Sequence, residues 1–390
     1  MRVDSVKHTD CCGCAACENI CPKHCISMES DDGGFLYPHI DNDSCINCGA
    51  CYKVCQAVYP LEEIEAYHGI YAAKALDETV VLSSSSGGMF TLFAELILNE
   101  GGVVYGAALS DDCYRLIHTR VDSIQQLHVL KGSKYLQSQI GEIYKDIKKE
   151  LQNGRKVLFS GTPCQVNGLV KYLGGQYDNL FTLDLICHGV PSQALWEKYL
   201  NFVEKRNHKI VSVDFRNKRY GWKYFSVKLF KDKSKSVDSI FKVNPYMQMM
   251  LNNVCLRQSC YECSAKGSNR LSDITLGDFW GVHEMLPEMS DGNGTSVVIL
   301  NSEKGKILFE RLSSIIKYKE ISLDMVLKYN PCLTESVGKP KERDVFFEDM
   351  KEMTFDKLAK KYAPIHGKAK IISIICKLGL NKYINRGGGN

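Results

Sequence analysis

Eight cysteines within the first 55 residues spell one phrase twice: Cys11-x2-Cys14-x2-Cys17-x3-Cys21-Pro22, then Cys45-x2-Cys48-x2-Cys51-x3-Cys55. Thiolates this crowded repel one another unless a cation gathers them, and two loops of four can each wrap an iron–sulfur cubane. In this spacing the fourth cysteine of each run ligates the other run's cluster. One 4Fe–4S centre is therefore expected on Cys11, Cys14, Cys17 and Cys55, and a second on Cys45, Cys48, Cys51 and Cys21. Zinc fits less well, because it draws on paired cysteines and not on three in a row plus a fourth, duplicated. Cys12 and Cys25 adjoin these ligands but fall outside the repeat.

A second set of chemical groups is spread along the chain. Gly161-Thr162-Pro163-Cys164-Gln165 follows an apolar run and opens a helical one, and Cys187-His188-Gly189-Val190-Pro191-Ser192 does the same after the next run. Ligands of open α/β sheets bind outside the carboxyl ends of strands, where these two loops would lie. Ser259-Cys260-Tyr261-Glu262-Cys263 adds a Cys-x2-Cys pair. Cys164, Cys187, Cys260 and Cys263 would together make a third four-thiolate site, with Cys255 able to displace one. The competing view is that Cys164 and Cys187 are small buried apolar residues. The run Ser83-Ser84-Ser85-Ser86-Gly87-Gly88 stands directly before an apolar helix, and hydroxyls with free helix amides suit a phosphate or pyrophosphate. Lys131-Gly132-Ser133-Lys134-Tyr135 offers cations and hydroxyls for the same anion or an electron-rich ring, although lone lysines are more often solvated. None of these segments is a GxGxxG fingerprint or a Walker loop.

The elements needed to position these groups read as a mixed α+β and α/β multidomain chain of 390 residues. Residues 1–60 form a ferredoxin-type domain whose fold its two clusters dictate. Residues 61–205 form an α/β domain, opening with a connector at 61–69. Buried strands are expected there at 102–108, 156–159 and 180–186, and helices at 89–99, 140–152, 166–173 and 193–202. Residues 206–343 form an α+β portion that carries the Cys-x2-Cys pair. Its strands are expected at 210–215, 224–230, 273–280 and 296–300, with polar connections at 216–223 and 231–239. A helical tail fills 344–390. From Lys357 to Asn390 there are eight Lys or Arg and no acidic residue, so the tail is either an ordinary packed helix or one that touches an anionic membrane surface.

Composition narrows the classes. Ten of the eighteen cysteines precede residue 56, eight of them in cluster spacing, which fits a reducing cytoplasm better than a secreted disulfide framework. The first residues lack the apolar core of a secretory signal. A net charge of +4 does not argue for nucleic acid.

The ordered motifs resemble the coenzyme F420 hydrogenase/dehydrogenase beta-subunit family, fused to a bacterial two-cluster ferredoxin domain. The likeness rests on the cysteine pair of runs, Ser86-Gly87-Gly88-Met89-Phe90, the Thr162-Pro163-Cys164 loop and the Cys187-His188-Gly189 loop. It continues through Cys260-Tyr261-Glu262-Cys263 and Asp273-Ile274-Thr275-Leu276-Gly277-Asp278-Phe279-Trp280-Gly281. The resemblance covers about residues 8–335 and implies FAD in the α/β domain, wired by iron–sulfur clusters to an external donor such as ferredoxin. By position it implies Ser85, Ser86, Gly87, Gly88, Lys131, Ser133, Lys134, Tyr135 and Thr162 as flavin contacts. His188 is then the candidate catalytic proton donor, with a side chain suited to titration near neutrality, or else a residue that only orients a cluster ligand.

Three functions follow as rivals. The first is an oxidoreductase acting on a small organic acceptor, such as a sugar derivative in polysaccharide biosynthesis, at the inner face of the membrane. The second is an electron-transfer subunit working on coenzyme F420 or a protein partner. The third is a redox sensor without turnover.

Overall fold

A computed structural model describes residues 1–59, 67–207, 209–231, 235–267 and 270–380. The two cysteine runs fold alike. Each leads into a short helix, Ala16–Ile20 and Ala50–Lys53, through a residue in the left-handed region, Ala15 (φ 59°) and Gly49 (φ 74°). Between them lies an antiparallel hairpin of β1 (Ile26–Ser30) and β2 (Leu36–Ile40), registered Ile26 to Ile40. Val3, Ile26 and Ile40 form the small apolar core that the cysteines share.

The body is built on one eight-stranded sheet. Its strands are β3 (Ile70–Ala75), β4 (Val103–Leu109), β5 (Leu116–Val121), β6 (Val157–Ser160) and β7 (Leu180–Leu185). Past the three-stranded sheet of β8 (Ser212–Asn217), β9 (Ser226–Phe230) and β10 (Ser236–Ile240), it gains β11 (Ile274–Asp278), β12 (Ser296–Leu300) and β13 (Ile316–Glu320). The order is β13-β3-β12-β11-β7-β6-β4-β5, and β4, β6, β7 and β11 run parallel. These inner strands are continuous apolar runs because helices cover both faces, as parallel sheets require. The sheet takes strands from both sides of residue 205, where one domain was expected to end. Its parallel centre comes from either side of the small sheet, which is inserted between β7 and β11.

The expected strands and helices of the centre fall within a few residues of their observed bounds. The polar connection expected over 231–239 gives way at its far end, where Ser236–Ile240 pairs with β9 and buries Ile240. The small sheet is fastened by an aromatic cluster. Trp196, fully buried on the helix Gln193–Asn207, packs 5.0 Å from Phe215 of β8 and 4.9 Å from Tyr246, ring centre to ring centre. Helices Arg343–Glu352 and Phe355–Tyr362 close over the same core through Phe346, Phe355 and Leu358.

The last described helix, Gly367–Lys377, packs Cys376 and Ile372 against Tyr220, Tyr224 and Ile240. Among the described residues no helix is long and apolar enough to cross a membrane. Residues 61–66 of the expected connector and 381–390 of the basic tail lie outside the described set.

Trp196→Ala removes the residue that joins the small sheet to the body. It should destabilise the chain by about 3–5 kcal/mol in chemical denaturation, the range for losing a buried Trp.

Candidate metal centre and adjoining cavity

The first two thiol sets differ in exposure. Cys21, Cys45, Cys48 and Cys51 ring a shallow cavity at the molecular surface, with Cys48 exposed and neighbouring Ile46 56% exposed. Cys25 also reaches this ring, its sulfur 3.4 Å from that of Cys21. Cys11, Cys14, Cys17 and Cys55 line a second cavity with Cys12, turned toward the body. Burial pushes the Cys17 thiol well up, and the neighbouring Cys14, Cys11 and Cys55 push it further. Four sulfurs gathered on one cavity are the soft donor set that an iron–sulfur cluster takes, and each of these two sets supplies four. Among the described residues no three His, Cys, Asp or Glu side chains converge on a single metal ion.

The inner set touches the third one. Cys164 sits in the first turn of Pro163–Leu173, behind Thr162, whose hydroxyl is 3.2 Å from the Cys164 sulfur. Pro163 at the first helical position and the Thr162–Gln165 pairing fix this start. The thiol of Cys12 lies beside those of Cys14 and Cys164. It pulls Cys14 down to about 6 against the upward push of burial, and lowers Cys164 as well. Gln56 donates to the Cys164 carbonyl (2.8 Å), a further tie between the module and the helix. Cys187, Cys260 and Cys263 lie within electrostatic reach of Cys164, and burial raises all three. Cys255 stands apart, fully buried in the aromatic core.

A cavity of about 290 Å³ opens beside Cys187, along the carboxyl ends of β6, β7 and β11. Ser85, Ser86, Gly88, Ser133, Lys134, Tyr135 and Thr162 line it, as do Cys187 and His188. Gly87 stands behind the wall and donates its N–H to Ser296 Oγ (3.0 Å), and Lys131 lies outside it with Nζ 4.0 Å from Glu95. Ser85 Oγ accepts from the Ser133 N–H (2.5 Å) and Ser86 Oγ donates to the Thr295 carbonyl (2.9 Å). The loop is thereby fixed with the first amides of helix Met89–Asn99 facing the cavity. On the same wall the buried His118 Nδ1 has no hydrogen-bond partner among the described residues, while its Nε2 meets the Ser160 carbonyl at 3.0 Å. Helix amides, hydroxyls and an unpaired imidazole nitrogen suit a phosphorylated heterocycle such as a flavin.

Charges behind the wall were missed by sequence reasoning. Arg216, read as part of a polar connection, is buried and grips both oxygens of Asp278 (3.0 and 3.2 Å) and the Tyr135 hydroxyl (3.0 Å). Trp222 Nε1 donates to the same carboxylate (3.1 Å) and stacks on Trp280 at 4.7 Å. Lys218 donates to the carbonyls of Val81, Ser86 and Asn293, which pins the serine loop. Their signal was faint: three cations in Arg216-Asn217-Lys218-Arg219 look solvated until the small sheet folds Arg216 and Lys218 inward and leaves Arg219 exposed. His188 gives Nε2 to Asn253 Oδ1 (2.7 Å) and has Cys332 sulfur 3.8 Å from Nδ1; burial lowers its pKa. Asp273, which accepts from the Thr182 N–H and hydroxyl, and Arg270, paired with buried Asp184, support β7 and β11.

Residues 10–57 match the model of a 4Fe–4S dicluster domain. Residues 154–324, which contain Cys164, Cys187, Cys260 and Cys263, match that of the C terminus of the coenzyme F420 hydrogenase/dehydrogenase beta subunit. Over 196 residues the chain is 26% identical to the coenzyme F420-dependent sulfite reductase of Methanocaldococcus jannaschii, covering 49% of this chain and 29% of that protein. A chain of the F420-reducing NiFe hydrogenase complex from Methanosarcina barkeri aligns with a TM-score of 0.45 at 15% identity, over 77% of this chain and 94% of that one.

The ring of sulfurs makes separable predictions. Cys55→Ser should lose the iron of one centre, about four atoms per chain, in anaerobic metal analysis. Cys25→Ser should keep the wild-type iron content.

Proposed function

We propose that this chain, a 4Fe–4S dicluster domain joined to the C-terminal region of the coenzyme F420 hydrogenase/dehydrogenase beta-subunit family, is an iron–sulfur flavoprotein oxidoreductase that exchanges electrons with a small organic acceptor. One observation carries this reading: three thiol sets lead from an exposed edge at Cys48, through the Cys11 set, to Cys187 on the wall of the cavity. When bound, clusters carry single electrons and a flavin converts between these and hydride transfer.

The chain's own residues supply the rest. The exposed edge around Cys48 and Ile46 offers a docking place for a donor protein of the ferredoxin kind. The loop 84–88 and the amides of helix Met89–Asn99 hold a phosphate, with Ser133, Lys134, Tyr135 and Thr162 across the cavity. Half-buried Lys134 gives its ammonium to the carbonyls of Leu130, Lys131 and Gly132, and desolvation of that group pulls it down to about 7. Burial lowers the pKa of His188 and so favours the neutral ring, whose Nε2–H is spent on Asn253 Oδ1; to deliver a proton it would first have to take one up at Nδ1. Asp278 is paired with and oriented by Arg216, which keeps the far wall polar.

The acceptor we favour is a sugar derivative of polysaccharide assembly. Exposed Ile371, Ile374 and Leu378, set among lysines, are a surface through which the chain would rest on an anionic membrane. A second reading, an electron-transfer subunit acting on coenzyme F420 or a protein partner, is favoured by the activity named for the sulfite reductase relative.

Anaerobically purified protein should contain about twelve iron atoms per chain, matching sulfide and one FAD. Given reduced ferredoxin, it should turn over sugar nucleotides. Turnover of coenzyme F420 alone would select the second reading, and colourless protein without iron or FAD would overturn both. A separate test concerns Lys134, whose folded pKa lies below its unfolded value. The ammonium is charged below about pH 7 and neutral above it, so affinity for the anionic flavin should fall as pH rises through 7. The change should be at least about 1 kcal/mol, the scale of one charge contact, and should vanish in Lys134→Met when FAD binding is followed by fluorescence quenching.

A further inference from the structure

We infer that Arg257 sets the reduction potential of the centre held by Cys11, Cys14, Cys17 and Cys55, and with it the partition of electrons between that centre and the Cys260-containing set. The inference rests on the proposed cluster reading and concerns a residue that no sequence motif singles out.

Arg257 is completely buried. Its guanidinium reaches 246 residues back along the chain to donate to the Cys11 carbonyl (2.8 Å), and also donates to the Leu36 carbonyl (2.8 Å) and Gln137 Oε1 (3.1 Å). One terminal nitrogen stands 3.9 Å from the Cys11 sulfur, and the plane lies over Tyr37 at 4.3 Å. All three oxygens are neutral, and among the described residues no carboxylate pairs with it. A cation withdrawn from water without a counter-charge is strongly unfavourable. The counter-charge must therefore come from the thiolates near Arg257. Cys11, Cys12 and Cys260, the last three residues further along its own chain, are all within electrostatic reach of it.

The approach is built in. Gly13 has φ +68°, and a Cβ there would fall 2.8 Å from Arg257 Nη1 and 2.9 Å from Cζ. Gln137 completes the clamp by donating to the Cys12 carbonyl (2.8 Å) while accepting from Arg257. A cubane on four thiolates is anionic and gains a further negative charge on reduction, so a fixed cation beside it favours the reduced form. Net charge and hydrogen bonding near the sulfurs are among the factors that set such potentials. Arg257 thus makes the inner centre a better electron acceptor than it would be without the cation, whereas the outer ring has Arg2 beside Cys45.

The test is a redox titration with dithionite of the full chain, purified anaerobically and followed by EPR. In Arg257→Gln the potential of the Cys11 set should move negative, lowering the ratio of reduced to oxidised centre at a given poise about tenfold, which is 59 mV for a one-electron couple. The Cys45 set should keep its potential. Arg257→Lys, which retains the charge without the planar fork, should shift in the same direction by less. A purely mechanical clamp would give lower cluster occupancy or thermal stability with the surviving centre's potential unchanged, and that result overturns the inference. Should Arg257→Gln not accumulate, Arg257→Lys decides alone: a negative shift supports the inference and an unchanged potential overturns it. Absence of iron from the wild-type chain would instead overturn the cluster reading, before any variant is compared.

Discussion

The close seating of Cys14 against Gly168 governs the rest of the molecule. Gly168 lies in the helix Pro163–Leu173, and a Cβ there would fall 3.0 Å from Cys14 Cβ and 3.1 Å from its sulfur. Only the smallest residue lets the N-terminal module approach this helix, whose first turn carries Cys164. With the approach made, Cys12 bridges Cys14 and Cys164, and Gln56 and Arg257 hold the contact from either side. A small module that would otherwise hang from a connector is thereby built into the body.

The sheet supplies the second half of the arrangement. Parallel strands deliver their loops to one edge, so Thr162 after β6, Cys187 after β7 and Asp278 at the end of β11 face one cavity. The inserted three-stranded sheet works from behind. Its Arg216 and Lys218 reach Ser85, Ser86 and Asp278, and hold the loop before helix Met89–Asn99 in place. Buried cations thus perform two tasks in this fold, fixing cavity walls in one place and facing sulfur in the other.

What could be read in the sequence was whatever has short range. The doubled cysteine phrase, the apolar runs of β6 and β7 and the helix 89–99 carry their signals in contiguous residues, and the structure places them close to where they were expected. Strands β5 and β13 escaped notice because they are edge strands with exposed polar residues, as in Lys317, Lys319 and Glu320. The single sheet spanning residue 205 was hidden because β7 and β11 are separated by about ninety residues of inserted structure. Cys12 and Arg257 were invisible for a related reason. A thiol outside the spacing and an arginine three residues before Cys260 gain meaning only when segments 246 residues apart meet.

The central claim is adjacency: the Cys11 set and the Cys164 set lie against each other, with Cys12 between them. EPR of the fully reduced, anaerobic protein measures this directly, because paramagnetic centres in near contact broaden and split one another's signals. The account predicts splitting of the Cys11-set signal beyond what the two N-terminal centres give each other, and loss of that extra splitting when Cys260→Ser empties the third site. A Cys11-set signal with the same splitting in wild type and Cys260→Ser would contradict it.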